Sequence, residues 1–474
     1  MKIYIYILVI VSMLTGCNKT SCEYAVLGGE VINRNTDYVV LFNSDKVIDT
    51  VKLNDSNRFL YKIEGLNPGF YTFKHGGEIQ MVLLEPGDSL MFRLNTFDFD
   101  ESLVYTGKGA KKNNYLINDF LKREREEKLV YRYCQLKPDS FEQLVDSIRL
   151  LKTTKLEAYK ERHSTSELFN KIAHANIDYD YYSSKEVYPF VHYGRNKKKI
   201  LDSLPKSFYD YRSQVNYNDD FFKNYFNYTS FLKRSFNTIG LQQHLKHTKS
   251  PYYTWANCNY SLDIMSAIDS LITNAEIKND LLYHYTMRFL AKNKHSQDAE
   301  KVMDYFLSKN KDAEKGNIIL SFKESIGKLR QGAPFPEVKL RNVKNELMNL
   351  RYVTRKPTVV YFWSHLHKKH FNESHRKANE FRVKYPEVEF ISINVDDYSK
   401  ERWASTIKKK RLPLANEFIL ESSEQSYKEL AIHPLTKVFL LDENHNIVNP
   451  HTNMFSSKFE EELLGLINKQ NMML

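Results

Sequence analysis

The chain has 474 residues, too many for a single core and suited to two or three domains. Hydrophobic residues make up 42% and aromatics 14%, with 32 Tyr and 29 Phe, which argues against a disordered polymer. The net charge of +11 comes from Lys and Arg interleaved with Asp and Glu, without a long basic block, so a lysine-rich surface is expected and a nucleic-acid partner is not.

The first element is an export signal. Lys2 is followed by an almost wholly apolar run from Ile3 to Leu14, too short for a stable membrane-spanning helix. It ends in Leu14-Thr15-Gly16-Cys17, which resembles a lipobox: a small residue at the scissile position, then a thiol that takes a diacylglycerol. Residues 1–16 therefore read as a lipoprotein signal peptide, with Cys17 the lipidated first residue of the mature chain. Acyl chains there hold a protein on a membrane. Asn18, in place of Asp, points by resemblance to Gram-negative sorting to the outer membrane; which face the chain occupies is not read from Asn18, and a periplasm-facing chain is a separate expectation. Of the other cysteines, Cys134 and Cys258 are free to pair in an oxidising compartment, although their spacing does not demand it, and Cys22 is left over.

Residues 17–110 read as a β-sandwich. Strand-like runs occur at Tyr38–Phe42, Lys46–Leu53, Asn57–Tyr61, Phe70–Phe73 and Gln80–Leu84, separated by turn signals such as Asn54-Asp55-Ser56 and Pro68-Gly69. The stretch Leu84-Glu85-Pro86-Gly87-Asp88-Ser89-Leu90, with Gly107-Lys108-Gly109-Ala110 and Asn113-Asn114-Tyr115-Leu116 after it, resembles the front domain of lipoproteins from gut Gram-negative bacteria. Asp88 reads there as a turn residue. Residues 111–330 read as helical, with apolar residues at three- and four-residue steps over Asn114–Arg125, Phe141–Arg162 and Ala299–Ser308. Aromatic clusters such as Tyr179-Asp180-Tyr181-Tyr182 and Phe221-Phe222 are expected in the helix-packing core.

Residues 331–474 alternate between strand and helix. Gly332-Ala333-Pro334-Phe335-Pro336 breaks the helical pattern. Thr358–Trp363 is a buried-strand run, His367–Lys384 a helix, Val388–Val395 a strand and Trp403–Lys410 a helix. Thr436–Leu441 and Ile447-Val448 form a hairpin across Asp442–Asn446, and Phe459–Ile467 closes the chain as a helix. The whole predicts a multidomain α+β protein ending in a thioredoxin-like α/β domain.

That last domain resembles the TlpA/ResA-type thioredoxin-like family. The residues that carry the resemblance are Gly332-Ala333-Pro334-Phe335-Pro336, Tyr361-Phe362-Trp363-Ser364, Ile391–Asp396 and His433-Pro434-Leu435-Thr436. The family continues its aromatic strand into C-x-x-C. Here the chain runs His365-Leu366-His367-Lys368-Lys369-His370, so His367 and His370 occupy both cysteine positions. Glu373 matches the family's Glu, and His375 replaces its usual Pro. Pro434 matches the cis-proline.

The substitution removes the chemistry the family is known for. A thioredoxin-type site needs a thiolate at a helix N-terminus and a second thiol to resolve the mixed disulfide. Imidazole forms no disulfide, and the sequence contains no C-x-x-C. The expected function is a redox-inactive binding or scaffold role, with an extended peptide or envelope protein held in the groove beside Pro434 as the resemblance implies. A second reading makes His367, His370 and His433 ligands of Zn or Cu, since the loop residue before the cis-proline faces the first redox position in the family. A helix N-terminus disfavours imidazolium, which keeps both rings neutral and fit to bind metal, whereas Lys368 and Lys369 repel a cation. A third reading keeps the family's thiol–disulfide activity by name only. The sequence contains no G-x-S-x-G, H-E-x-x-H or P-loop. Asp396-Asp397 follows a strand and is expected to serve a turn.

Overall fold

The computed structural model describes residues 24–471, apart from 44–45, 77, 293–295, 366, 397–399, 423–425 and 427–428. The signal segment, Cys17, Asn18, Cys22, Leu366 and Asp397 lie outside the described residues. The chain divides into two compact units that meet between Val191 and His192, inside the helical stretch.

The first unit opens with eight strands: β1 (Tyr24–Ile32), β2 (Tyr38–Asn43), β3 (Lys46–Lys52), β4 (Arg58–Glu64), β5 (Gly69–His75), β6 (Glu78–Leu84), β7 (Ser89–Asn95) and β8 (Val104–Lys108). They form two four-stranded sheets, ordered β4-β1-β7-β8 and β3-β2-β5-β6. One apolar cluster draws on both sheets, with Leu27, Phe59 and Phe92 from the first and Leu41, Phe73 and Val82 from the second. The Phe73 and Phe92 rings stack 4.5 Å apart. This is sandwich packing, in which alternate side chains of each strand point inward.

Helices α1 (Ala110–Tyr133), α2 (Pro138–Arg162) and α3 (Glu167–Val191) complete the unit. Two asparagines at the start of α1 replace missing ladder bonds. Asn113 accepts from Leu83 N–H at 2.8 Å and donates to its carbonyl at 2.9 Å. Asn114 does the same for Tyr105. Asp88 accepts from Glu85 N–H and from the Lys112 ammonium, so it ties its turn to α1.

The second unit begins with helices α4 (Lys197–Asp202), α5 (Phe226–His247), α6 (Cys258–Leu271), α7 (Ala275–Lys292), α8 (Ser296–Lys309) and α9 (Ala313–Lys328). Cys134 and Cys258 are both buried and outside any disulfide, so the pairing left open by the sequence is not made. Among the described residues no helix is long and apolar enough to cross a membrane.

The unit continues with β9 (Leu340–Arg341), β10 (Leu347–Met348), β11 (Thr358–Trp363), α10 (Lys368–Lys384), β12 (Glu389–Asn394), α11 (Lys400–Lys410), β13 (Glu417–Leu420), β14 (Val438–Leu441), β15 (Ile447–Thr452) and α12 (Phe459–Asn471). The sheet order is β10-β9-β13-β12-β11-β14-β15. β11, β12 and β13 run parallel, while β14 is antiparallel to β11 and β15 antiparallel to β14. Every residue of β11 is buried, as a central strand covered on both faces requires. Phe381, Phe390, Leu440, Phe459 and Leu463 share one apolar cluster; Trp363, Phe371, Trp403 and Ile419 share another. A parallel βαβ core extended by an antiparallel pair and a closing helix is the thioredoxin arrangement, and the domain is thioredoxin-like on that ground. The Gly332–Phe335 segment crosses to the hairpin, where Gly332 N–H donates to Ile447 O and Phe335 N–H to His445 O.

Candidate functional site

The C-terminal end of β11 delivers the chain into the first turn of α10. Trp363 is fully buried, and the next two side chains also turn inward. Ser364 donates to the Asp396 carboxylate, and His365 donates to it through its backbone N–H and pairs with it through Nδ1, each at 2.8 Å. The other ring nitrogen of His365 lies 3.1 Å from the Thr406 hydroxyl. Burial alone would raise the Asp396 carboxyl, but these donors, with Asn394, hold it below the usual carboxylate range. The expected turn aspartate is therefore a buried anchor that fixes the entry to α10. His365 belongs to that anchor.

After this anchor the chain turns outward. His367 is exposed at the N-cap position of α10, followed by exposed Lys368 and Lys369. His370 is half-buried, and its Nε2–H donates to the Phe362 carbonyl at 3.0 Å. Burial pushes the His370 imidazolium down, more than that carbonyl supports it. His375, at the place where the family carries Pro, points into the core. Its Nδ1–H donates to Phe371 O, and its other nitrogen lies 3.4 Å from the fully buried Glu417.

The second wall comes from the loop before β14. The His433–Pro434 peptide is cis, as the resemblance implied. Residues His433, Pro434, Leu435 and Thr436 line an open cleft of about 740 Å3 together with His367–His370, Glu373 and Phe455. The Phe455 and His370 rings are 5.9 Å apart. The structure thus brings His367, His370, His433 and Pro434 to one cleft. It does not bring the three imidazoles into a ligand cage: among the described residues, the group whose ligand atoms lie within 4.8 Å of one another is His244, His247 and Asp263 on α5 and α6.

Two basic groups near the loop escaped the sequence reading. His284 on α7 lies close enough to His433 to feel its charge; burial first, then Lys233, Arg288 and His433, push it down to about 3. Lys437 is buried, and burial lowers its ammonium to about 7. It donates to the carbonyls of Leu430 and Ala431 at 2.9 and 3.0 Å. His433 is lowered by burial and by Lys437. Burial thus disfavours the charged forms of His370 and His433 in the cleft, which Lys368, Lys369 and Glu373 also line. No motif marks His284 or Lys437, because only the tertiary fold buries them beside the loop.

No family model matches the chain. No curated protein matches it. Solved structures do resemble part of it. A candidate thiol–disulfide oxidoreductase from Bacteroides vulgatus aligns over 29% of this chain and 98% of its own, at 17% identity and a TM-score of 0.27. The C-terminal domain of another, from Bacteroides thetaiotaomicron, aligns over 30% and 99%, at 19% identity and a TM-score of 0.26. A candidate thiol:disulfide interchange protein DsbE from Chlorobium tepidum aligns over 29% and 98%, at 17% identity and a TM-score of 0.25. The thioredoxin-like character of the domain rests on its own strand order and connections.

Proposed function

We propose that this chain is a lipid-anchored cell-envelope protein whose C-terminal domain binds an extended peptide without thiol chemistry. The observation that carries the reading is the cleft itself. It lies between the first turn of α10 and the Pro434 loop, where a thioredoxin-type enzyme works, and it is lined by imidazoles, ammonium groups and one carboxylate instead of sulfur. Recognition by backbone pairing at such a loop needs no cysteine. Leu435 and Phe455 supply apolar contact, and the charged rim of Lys368, Lys369 and Glu373 supplies selectivity. The anchor is Cys17, and the mature chain runs from there through the sandwich (17–110) and the helical part (111–330) to the thioredoxin-like domain (331–474).

The test uses the full chain. A randomised set of short peptides is screened against it, and the best binder is measured again with Leu435→Asp. The proposal expects saturable binding that falls about tenfold or more in the variant. Absence of any bound peptide, or binding indifferent to Leu435→Asp, overturns it. In cells fed labelled fatty acid, the wild-type chain takes up the label and Cys17→Ser does not; label on both chains, or on neither, overturns the lipid anchor.

A further inference from the structure

A second histidine pair sits away from the cleft. His244 and His247 occupy the last turn of α5, three residues apart and so on one face. Asp263 reaches them from α6. The two helices touch at a glycine: a Cβ on Gly240 would lie 2.2 Å from Ile264 Cγ1 and 2.9 Å from Ile264 Cα. That approach of the backbones, one turn before His244, is what allows a short aspartate to span the gap. One carboxylate oxygen lies 2.9 Å from His244 Nδ1, and the other lies 2.9 Å from His247 Nε2.

We infer that His244, His247 and Asp263 form a binding site for a Zn2+-class cation, separate from the cleft and from the function proposed for it. Three arguments support it. The donor set of two imidazoles and a carboxylate, all within 4.8 Å, is the one a borderline cation takes with three protein ligands and an open fourth position. The burial is graded: His244 is 3% exposed and Asp263 19%, whereas His247 is 55% exposed, which leaves a side from which metal and a water ligand enter. The site also lies at the C-terminal end of α5, where the backbone carbonyls favour positive charge. His244 Nε2 is buried without a hydrogen-bond partner, so ligation through Nδ1 places the ring proton on an unpartnered nitrogen, a cost that the metal–ligand bonds must offset.

The competing arrangement is a carboxylate that accepts an N–H from each ring. It requires protons on the two nitrogens that metal binding requires bare, so metal uptake separates the two. Untagged full-length protein is stripped with a chelator and titrated with Zn2+ against a chromophoric competitor. We expect one equivalent to bind, with affinity reduced about tenfold or more by His247→Ala and by Asp263→Asn. His247 is exposed, so its replacement leaves the fold intact, and the far-ultraviolet dichroism of each variant checks this. A Co2+ titration shows the ligand-field bands of a four-coordinate ion, lost in His247→Ala. Absence of stoichiometric Zn2+, or binding that survives His247→Ala and is lost in His367→Ala instead, overturns the assignment.

Discussion

Lys437 follows the cis-proline by three positions and carries its ammonium into the interior. Its nitrogen meets the carbonyls of Leu430 and Ala431 and lies 4.5 Å from the centre of the Phe439 ring. Burial lowers the group from 10.5 to about 7. Below pH 7 the lysine is charged in both folded and unfolded chains, and the folded state bears the full desolvation cost. Between about 7 and 10.5 the unfolded chain holds the proton that the folded chain has released, so stability rises with pH in that window. Lys437→Met flattens the rise. The midpoint of the second unit's thermal transition, followed from pH 6 to pH 10, reads this out, and the wild-type gain is on the order of a few kcal/mol. An equal gain in Lys437→Met would show that the ammonium is not the source. The histidines of the same region show how far single residues are legible in sequence. The placement of His367 and His370 at the start of a helix after an aromatic strand, and of Pro434 opposite them, follows from local motifs, and the structure brings all three to one cleft. The inward rotation of His365 and His375 does not, because it depends on carboxylates contributed by Asp396 and Glu417, far along the chain.

Among the elements, strands with a strong apolar run are found where the sequence puts them, and β11 has the same bounds in both. The strands that escape notice do so for physical reasons. β1 contains Gly28-Gly29, which weakens its strand signal; β7 runs alongside, and a Cβ on Gly29 would lie 2.6 Å from the Phe92 ring. β13 is only four residues long and is made a strand by its pairing with β12. Gly240 is the helical counterpart, a small residue inside α5 whose purpose appears only when α6 is beside it. Gly240→Ala forces the helices apart and is expected to cost about 1–3 kcal/mol, read as a lower thermal midpoint of the second unit. An unchanged midpoint would mean that α5 and α6 are not in backbone contact.

For the molecule as a whole, the sequence separates a β part, a helical part and an α/β part, and it identifies the last as thioredoxin-like through motifs that each span only a few residues. It does not reveal that the compact units divide between Val191 and His192, because the turn at Gly194 resembles other breaks between helices and the division depends on which helices pack together. We propose that this thioredoxin-like site, with imidazoles at both positions aligned to sulfur, handles peptide and not electrons. The most direct measurement is insulin reduction by dithiothreitol with purified full-length protein, wild type beside His367→Cys/His370→Cys. The account predicts no acceleration by the wild type and clear acceleration by the double variant, whose thiols stand at the start of α10 across from Pro434. Turnover by the wild-type chain would contradict it.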